Sequence, residues 1–372
     1  MKSITHVGLD VHARTIVAAA APSGRDRARV VGRVAATAGS VDRLIAQLRT
    51  AYGDELRFSQ EAGPCGYWLH RHLEGRGLAS IVAAPTLIAR RPGERVKTDG
   101  RDACLLAEQD RAGGLVSVWV GDAQHEAMRD LVRAREAAVR VQRRERQQLS
   151  GFLLRQGRHW PRGQWTKAHR AWLAAQRFEA DAQGWVMEEM LAAVALSESR
   201  VERVTVEIAR RVPEWAMMPV VSGLQSLRGV GLVTAAVLAA ELGDLRRFGS
   251  ARGLMAYLGL VASEDSSGER VRRGGLTKTG NRRARTALIE AAWHYRWPAS
   301  GVGAALARRR SEQPPALAAI AAKADQRLCR RFGRLIRRKK PVVAVAAVAR
   351  ELAGFVWAIG QQVAPRPARH GG

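Results

Sequence analysis

Cysteine is scarce in this chain. The 372 residues hold three, at Cys65, Cys104 and Cys329. Spaced so widely, they make neither a zinc knuckle nor a disulfide framework, and this fits a reducing, cytoplasmic setting. Acidic side chains are also in short supply, 34 Asp and Glu against 61 Lys and Arg, for a formal net charge of +27. Two further patterns are missing. The N-terminus runs straight into a strand pattern, so no signal peptide is expected. The longest apolar stretches are interrupted by Glu, Lys or Arg, so no membrane span is expected.

The positive charge is unevenly placed. Residues 1–120 hold 17 basic and 12 acidic side chains, and residues 121–372 hold 44 and 22, so most of the excess lies downstream. Such a field attracts nucleic acid and makes its binding depend on salt. A merely basic surface is the plain alternative, but the arginines cluster.

Alternation and turn residues give strands at 4–11, 15–21, 29–35, 56–60 and 79–84, with helices at 40–50, capped by Ser40, and 65–76. Strands interleaved with helices imply an α/β layer. Residues 85–98 read as a loop, and a helix follows from Asp99 or Gly100 to about Ala112. From 125 to 156 the pattern is long, charged and helical, as in one arm of a helical hairpin or coiled coil. A polar turn rich in tryptophan follows at 159–165, then helices at about 167–180 and 182–210. The arm reads either as a solvated spacer or as a dimerisation or nucleic-acid-gripping element. Residues 224–243 carry Gly229 and Gly231 between two helical stretches, as in a helix-hairpin-helix, whose amides hold phosphate. A tight helix–helix turn without a ligand gives the same pattern. Short helices follow at 250–260 and 282–295, then two more within 315–358 separated by a basic turn. The expected organisation is an α/β domain at 1–120, a helical arm at 121–215, a mostly helical domain at 216–360 and a disordered tail at 361–372.

Two polar clusters carry the chemistry. Asp10 ends the first strand, Glu61 follows another, and Asp99 and Asp102 are three apart, so on a helix they share a face. Taken singly, these are a turn acid, a loop acid and a helix cap. Converging carboxylates repel unless cations neutralise them. Hard divalent ions with oxygen ligands do this, and a pair of Mg²⁺ (or Mn²⁺) ions about 4 Å apart handles phosphodiesters. Lys97 and Arg101 would border such a site and reach phosphate. His12, near the same strand end, reads as a half-exposed strand residue or as a ligand.

The second cluster is a polar loop with Ser266, Ser267 and Gly268, followed by Arg270, Arg272, Arg273, Gly274, Gly275, Lys278, Gly280, Asn281 and Arg282. A serine needs activation to act as a nucleophile, and arginines stabilise the charge that builds in phosphoryl transfer. The glycines allow a tight loop that returns Lys278 and Asn281 over the serine. No histidine partner is evident, which argues against a hydrolase triad. A loop that only binds phosphate fits the same residues.

The segments GLDVHARTIV (8–17), QEAGPCGYWLHRHL (60–73), VKTDGRDACLLAE (96–108), the run from 227 to 285 and PVVAVAAVARELAGFVWAI near the end resemble, in order, the IS110/IS1111-type insertion-sequence transposases, which are of DEDD type. The resemblance covers nearly the whole chain. It implies a RuvC-like (RNase H-like) α/β N-terminal domain, a coiled-coil middle segment and a mostly α-helical C-terminal transposase domain with a helix-hairpin-helix-like element. By position, Asp10, Glu61, Asp99 and Asp102 match the family's metal-binding tetrad and Ser267 its nucleophile, with Ser266 beside it. The family's mechanism implies a covalent serine–DNA link. It also implies a structured noncoding RNA that pairs with donor and target double-stranded DNA, and a homodimer or homotetramer in which subunits complete one another's sites. The chain departs from the family in reading GLVAS at 259–263, where a proline is common after GLV, and in the basic stretch at 327–340.

The expected function is therefore site-specific DNA strand exchange. Two alternatives use the same residues: a RuvC-class metal-dependent nuclease or junction resolvase, in which water attacks, and a non-catalytic architectural nucleic-acid-binding protein.

Overall fold

The computed structural model describes residues 4–89, 98–267 and 270–366. The chain divides into two compact units, Met1–Val120 and Gly121–Gly372.

In the first unit, β1 (Thr5–Val11), β2 (Thr15–Ala21) and β3 (Arg29–Ala35) form an antiparallel meander. β4 (Leu56–Glu61) and β5 (Ala79–Ala83) add in parallel on the other side of β1, giving the order β3-β2-β1-β4-β5. Side chains alternate across the sheet. Val7, Leu9, Ile16, Ala18 and Phe58 form one face, covered by Val41, Leu44, Ile45 and Leu48 of α1 (Ala38–Tyr52) and by Leu69 and Leu73 of α2 (Trp68–Gly75). Each fully buried leucine of this set contributes roughly 1.5–3 kcal/mol. The cap of α1 is Thr37, not Ser40. Its hydroxyl accepts the Ser40 N–H, and Ser40 itself lies inside the first turn.

The other face carries Val17 and Ala19 under Ala103 of α3 (Asp99–Arg111). Gly8 lies where α3 crosses β1. A Cβ there would fall 2.0 Å from the Ala103 carbonyl oxygen and 2.6 Å from the Ala107 nitrogen, so only hydrogen fits. Covered on both faces, β2 carries the unbroken run of buried Ala18, Ala19, Ala20 and Ala21.

The second unit begins with α4 (Ala123–Arg155), α5 (Lys167–Ala174) and α6 (Asp181–Arg211). α4 has 33 residues and is therefore about 50 Å long. It packs antiparallel to α6. Arg146 pairs with Glu198 at 2.6 Å, and Arg135 Nε donates to Thr205 Oγ1 at 2.7 Å. α5 stops at Ala174, short of the expected 180. Next come α7 (Met218–Leu224), α8 (Leu232–Leu242), α9 (Ala251–Tyr257), a hairpin of β6 (Ala262–Glu264) and β7 (Arg273–Leu276), α10 (Arg282–Ala292), α11 (Ala304–Ser311), α12 (Pro315–Ile336) and α13 (Pro341–Gln362). The hairpin and α11 were not expected.

α13 corrects one sequence expectation, because its 22 residues are long and apolar enough to cross a bilayer despite Arg350 and Glu351. In the fold it is a core helix. Val345, Val348, Leu352, Val356 and Ile359 are buried among residues of α7, α8, α10 and α12. The segment expected to be disordered from 361 lies partly outside the described residues. Up to Arg366 it is described, and the Arg366 N–H donates to the Ala216 carbonyl at 2.8 Å.

Three polar groups are buried at the junction of α4 and α8. His125 Nε2–H donates to the Ala240 carbonyl at 2.8 Å, and Arg129 Nε donates to the same oxygen at 3.0 Å. Burial pushes the His125 imidazole down to about 4, although its bond to Ala240 and nearby acids oppose this. Glu241 accepts from Arg133 at 2.8 Å and from Asn281 Nδ2 at 2.8 Å. Burial works to raise the Glu241 carboxyl, but Arg133, Asn281 and Arg283 outweigh it and hold it below the usual carboxylate range.

Candidate active site

α3 lies along β1 in the opposite sense, because its contacts run in reverse order. His6, near the start of β1, meets Asp110 at 2.7 Å, Gly8 lies under Ala103, and Asp10 lies by Asp99. Thr98 caps α3 by accepting the Arg101 N–H, which makes Asp99 the first helical residue rather than the cap. Asp99 and Asp102 thus occupy the first turn, where the helix dipole favours carboxylates.

Potential ligand atoms of Asp10, His12 and Asp99 all lie within 4.8 Å of one another. His12 Nε2 is 3.2 Å from Asp10 Oδ2 and 3.5 Å from Asp99 Oδ1. Burial pushes the Asp10 carboxyl above its ordinary value. His12 pulls it down, while the charges of Asp102 and Asp99 push it further up. Asp102 is therefore within electrostatic reach of Asp10. Glu61 is placed by register. Leu9 pairs with Gln60, so Asp10 and Glu61 each stand one residue past the last paired position on adjacent strands. Ser59 faces α3, its hydroxyl donating to the Leu106 carbonyl at 3.4 Å, and Glu61, two residues on, shares that face. A divalent cation would relieve this mutual repulsion, and the oxygen-rich donor set suits one.

Sequence reasoning missed Arg33. From β3 it donates to Asp99 Oδ2 at 2.7 Å, holding one carboxylate oxygen while the other faces His12. Its partner is 66 positions away, and no local pattern marks the pair. Arg101 is exposed on the first turn of α3, and Lys97 lies outside the described residues.

The serine loop is the tip of the β6–β7 hairpin. Glu264 pairs with Arg273, and the Asp265 N–H donates to the Arg272 carbonyl at 2.9 Å. Ser267 and Arg270 then exchange two backbone hydrogen bonds of 3.2 and 3.1 Å across the turn. Gly268, between them, lies outside the described residues. Ser266, Ser267, Arg270, Arg272 and Arg273 are all exposed. The two serines differ. The Ser266 hydroxyl donates to Glu264 Oε1 at 3.0 Å, so it is already engaged within the hairpin. Arg273 is also near Glu264, at 3.5 Å.

The hairpin does not return Lys278 and Asn281 over Ser267. Both stand at its base, where the Lys278 N–H donates to the Gly259 carbonyl at 3.1 Å. Gly280 fixes this base. Its φ is +69°, and a Cβ would sit 1.8 Å from the Tyr257 carbonyl oxygen. From base to tip, the five steps along the strand from Ala262 to Ser267 span roughly 17 Å. Asn281 is engaged structurally. Its Oδ1 caps α10 by accepting the Ala284 N–H at 3.0 Å, and its Nδ2 holds Glu241. Arg282 is exposed on the first turn of α10. Gly229 turns the chain between α7 and α8 with φ +77°, packed on the Ala291 carbonyl. Gly231 precedes α8 as its N-cap residue, with open space beside its Cα.

Comparison with known proteins addresses both segments. A family model described as "Transposase IS116/IS110/IS902 family" matches residues 221–300. A second, of the DEDD IS110 type and described as "Transposase", matches residues 7–156. The chain is 45% identical over 359 residues to the putative transposase y4qE of Sinorhizobium fredii (strain NBRC 101917 / NGR234), covering 96% of this chain and 88% of that one. It belongs to the IS110 family of transposases. It is also 29% identical over 355 residues to the transposase for insertion sequence element IS1533 of Leptospira borgpetersenii, covering 92% of this chain and all of the other. In this transposase the first matched segment contains Asp10, His12, Glu61, Asp99 and Asp102, and the second contains Gly229, Ser267 and Asn281.

Proposed function

We propose that this transposase exchanges DNA strands through a covalent link between Ser267 and a DNA phosphate, assisted by divalent metal at Asp10, Glu61, Asp99 and Asp102. The observation that carries the reading is the pairing of two features. One is an exposed serine at a hairpin tip bordered by Arg270, Arg272 and Arg273. The other is a partly buried carboxylate cluster in which the charges of Asp102 and Asp99 push the Asp10 carboxyl up.

In this reading the Ser267 oxygen attacks phosphorus. One ester bond forms to the serine, the bond to the leaving deoxyribose oxygen breaks, and the proton lost by the serine is balanced by one taken up by that oxygen, which leaves as a hydroxyl. The phosphodiester count is conserved, so resealing needs no other energy source. Arg270 and Arg272 neutralise phosphate oxygens, with Arg273 behind them. Bound Mg²⁺, or Mn²⁺, would polarise the phosphate and stabilise the leaving oxygen. Asp10 and Asp99 would hold the ion most directly, Glu61 and Asp102 would complete the oxygen set, and Arg33 would fix the orientation of Asp99. Arg101 and Lys97 would meet the flanking backbone, as would Arg282 and Lys278 away from the reacting serine. The first turn of α8, after Gly229 and Gly231, would add amide contacts in the manner of a helix-hairpin-helix.

Sequence choice is assigned to base pairing by an element-derived structured RNA, so the protein grips shape and backbone of donor and target DNA. The α4–α6 pair would serve assembly as a coiled-coil arm, giving a homodimer or homotetramer in which carboxylates and serine act on one strand. The test is chemical: cognate DNA should become covalently attached to the chain, at Ser267, only when divalent metal is supplied.

A further inference from the structure

The tryptophan-rich turn at 159–165 is not used by the chemistry above, yet it is tightly built. Trp160, Trp165 and Trp172 gather around buried His169. The Trp172 ring stacks on the imidazole at 5.7 Å, and the Trp165 ring meets it edge-on at 5.4 Å. Trp165 has φ +64°, a left-handed conformation that a bulky side chain rarely adopts. Its backbone N–H donates to His169 Nδ1 at 2.9 Å, which holds that conformation. Strain of this kind concentrates at functional positions.

The strained residue walls a groove of about 440 Å³ between the turn and one face of α4, with Gln142, Arg143, Arg146, Gln147 and Gln164 among its lining. Arg146 is fixed as the back of the groove. Its guanidinium pairs with Glu198 at 2.6 Å and lies over the Trp165 ring, 4.5 Å from the ring centre, with Arg170 over the same ring at 5.8 Å. Arg143 is exposed along the same face, one turn before Gln147.

We propose that this groove binds one unpaired nucleotide of a single strand, with its base against the Trp165 indole and its phosphate on Arg143. The volume falls in the range of small-ligand sites. An aromatic wall beside arginines is how single strands are held without regard to sequence. Three glutamine amides supply donors and acceptors that match the edges of a base, whereas a duplex offers no free base face. The groove lies on the arm and does not depend on Ser267 or on the carboxylates, so its failure and the failure of the strand-exchange chemistry are distinguishable.

The test is photo-crosslinking of the full-length protein to short strands carrying one 4-thiopyrimidine, followed by peptide mapping. An RNA strand, a DNA strand and a fully paired duplex form the three arms. Crosslinks from either unpaired strand should fall on the segments holding Gln142–Gln147 and Gln164–Trp165, and should be absent from the duplex. Trp165→Ala should lower the yield about tenfold while Trp165→Phe keeps most of it. A Gln142→Ala/Gln147→Ala variant, which leaves the tryptophan cluster intact, should also lower it. The stronger of the two strand arms identifies the source of the nucleotide. Crosslinks that avoid both segments, or equal yields from duplex and single strand, or an unchanged yield in the glutamine variant, overturn the proposal.

Discussion

His12 Nε2 sits between two carboxylates, 3.2 Å from Asp10 and 3.5 Å from Asp99. The imidazole is therefore part of the acid site, and its removal should be felt there. Asp10→Asn is expected to abolish metal-dependent DNA cleavage while leaving the fold intact. His12→Ala should keep cleavage but raise the metal concentration for half-maximal rate, by roughly tenfold. Titrating Mg²⁺ against cleavage rate checks both, and cleavage by Asp10→Asn at the wild-type rate would count against the metal site.

Gly8 is the contact on which the position of α3 depends, because a Cβ there would fall 2.0 Å from the Ala103 carbonyl. Gly8→Ala should destabilise the first unit by about 1–3 kcal/mol or more. Displacing α3 also displaces Asp99 and Asp102, so cleavage should fall with stability. Thermal unfolding followed alongside activity reads this out, and an unchanged Tm would show that the packing is looser than described.

His125 predicts a pH dependence of the second unit. Its imidazole titrates near 6.5 when unfolded and is pushed down to about 4 in the fold. The unfolded chain then binds the extra proton first, so acid favours unfolding. The contribution is fully present above about pH 6.5 and is lost as the pH falls toward 4, a difference on the order of 3 kcal/mol. Stability measured from pH 7.5 to 4 should show this decline, and His125→Gln should flatten it. An equally steep decline in the variant would assign the effect to other groups.

Asn281 should behave as a structural residue. Asn281→Ala removes the cap of α10 and one partner of buried Glu241, at a cost of about 1–2 kcal/mol. Denaturant unfolding should report that loss. The salt dependence of DNA binding should stay as it was, because a phosphate contact is not being removed. A reduced salt slope would return Asn281 to the nucleic-acid surface.

The strands and the first acids were legible because their signals are local. Alternation in 4–11 and 15–21 marks strands, and an acid at a strand end such as Asp10 marks a site rim. The spacing of Asp99 and Asp102 gives a shared helix turn. The relationships that complete the site are not local. Arg33 reaches Asp99 across 66 positions, and His12 gains its meaning only when α3 arrives beside it. The β6–β7 hairpin escaped notice because its strands are short and mostly exposed, so no hydrophobic alternation marks them. Asn281 carried a readable sign, an amide directly before a helix, but the surrounding arginines pointed to phosphate instead.

The central claim is that Ser267 becomes bonded to DNA, and denaturing electrophoresis with peptide mapping tests it most directly. The wild-type protein, supplied with Mg²⁺, cognate DNA and the proposed guide RNA, should give a protein–DNA adduct that survives denaturation and maps to Ser267. Ser266→Ala should retain the adduct, and Ser267→Ala should still bind nucleic acid but form none. An adduct of normal yield in Ser267→Ala would contradict the account.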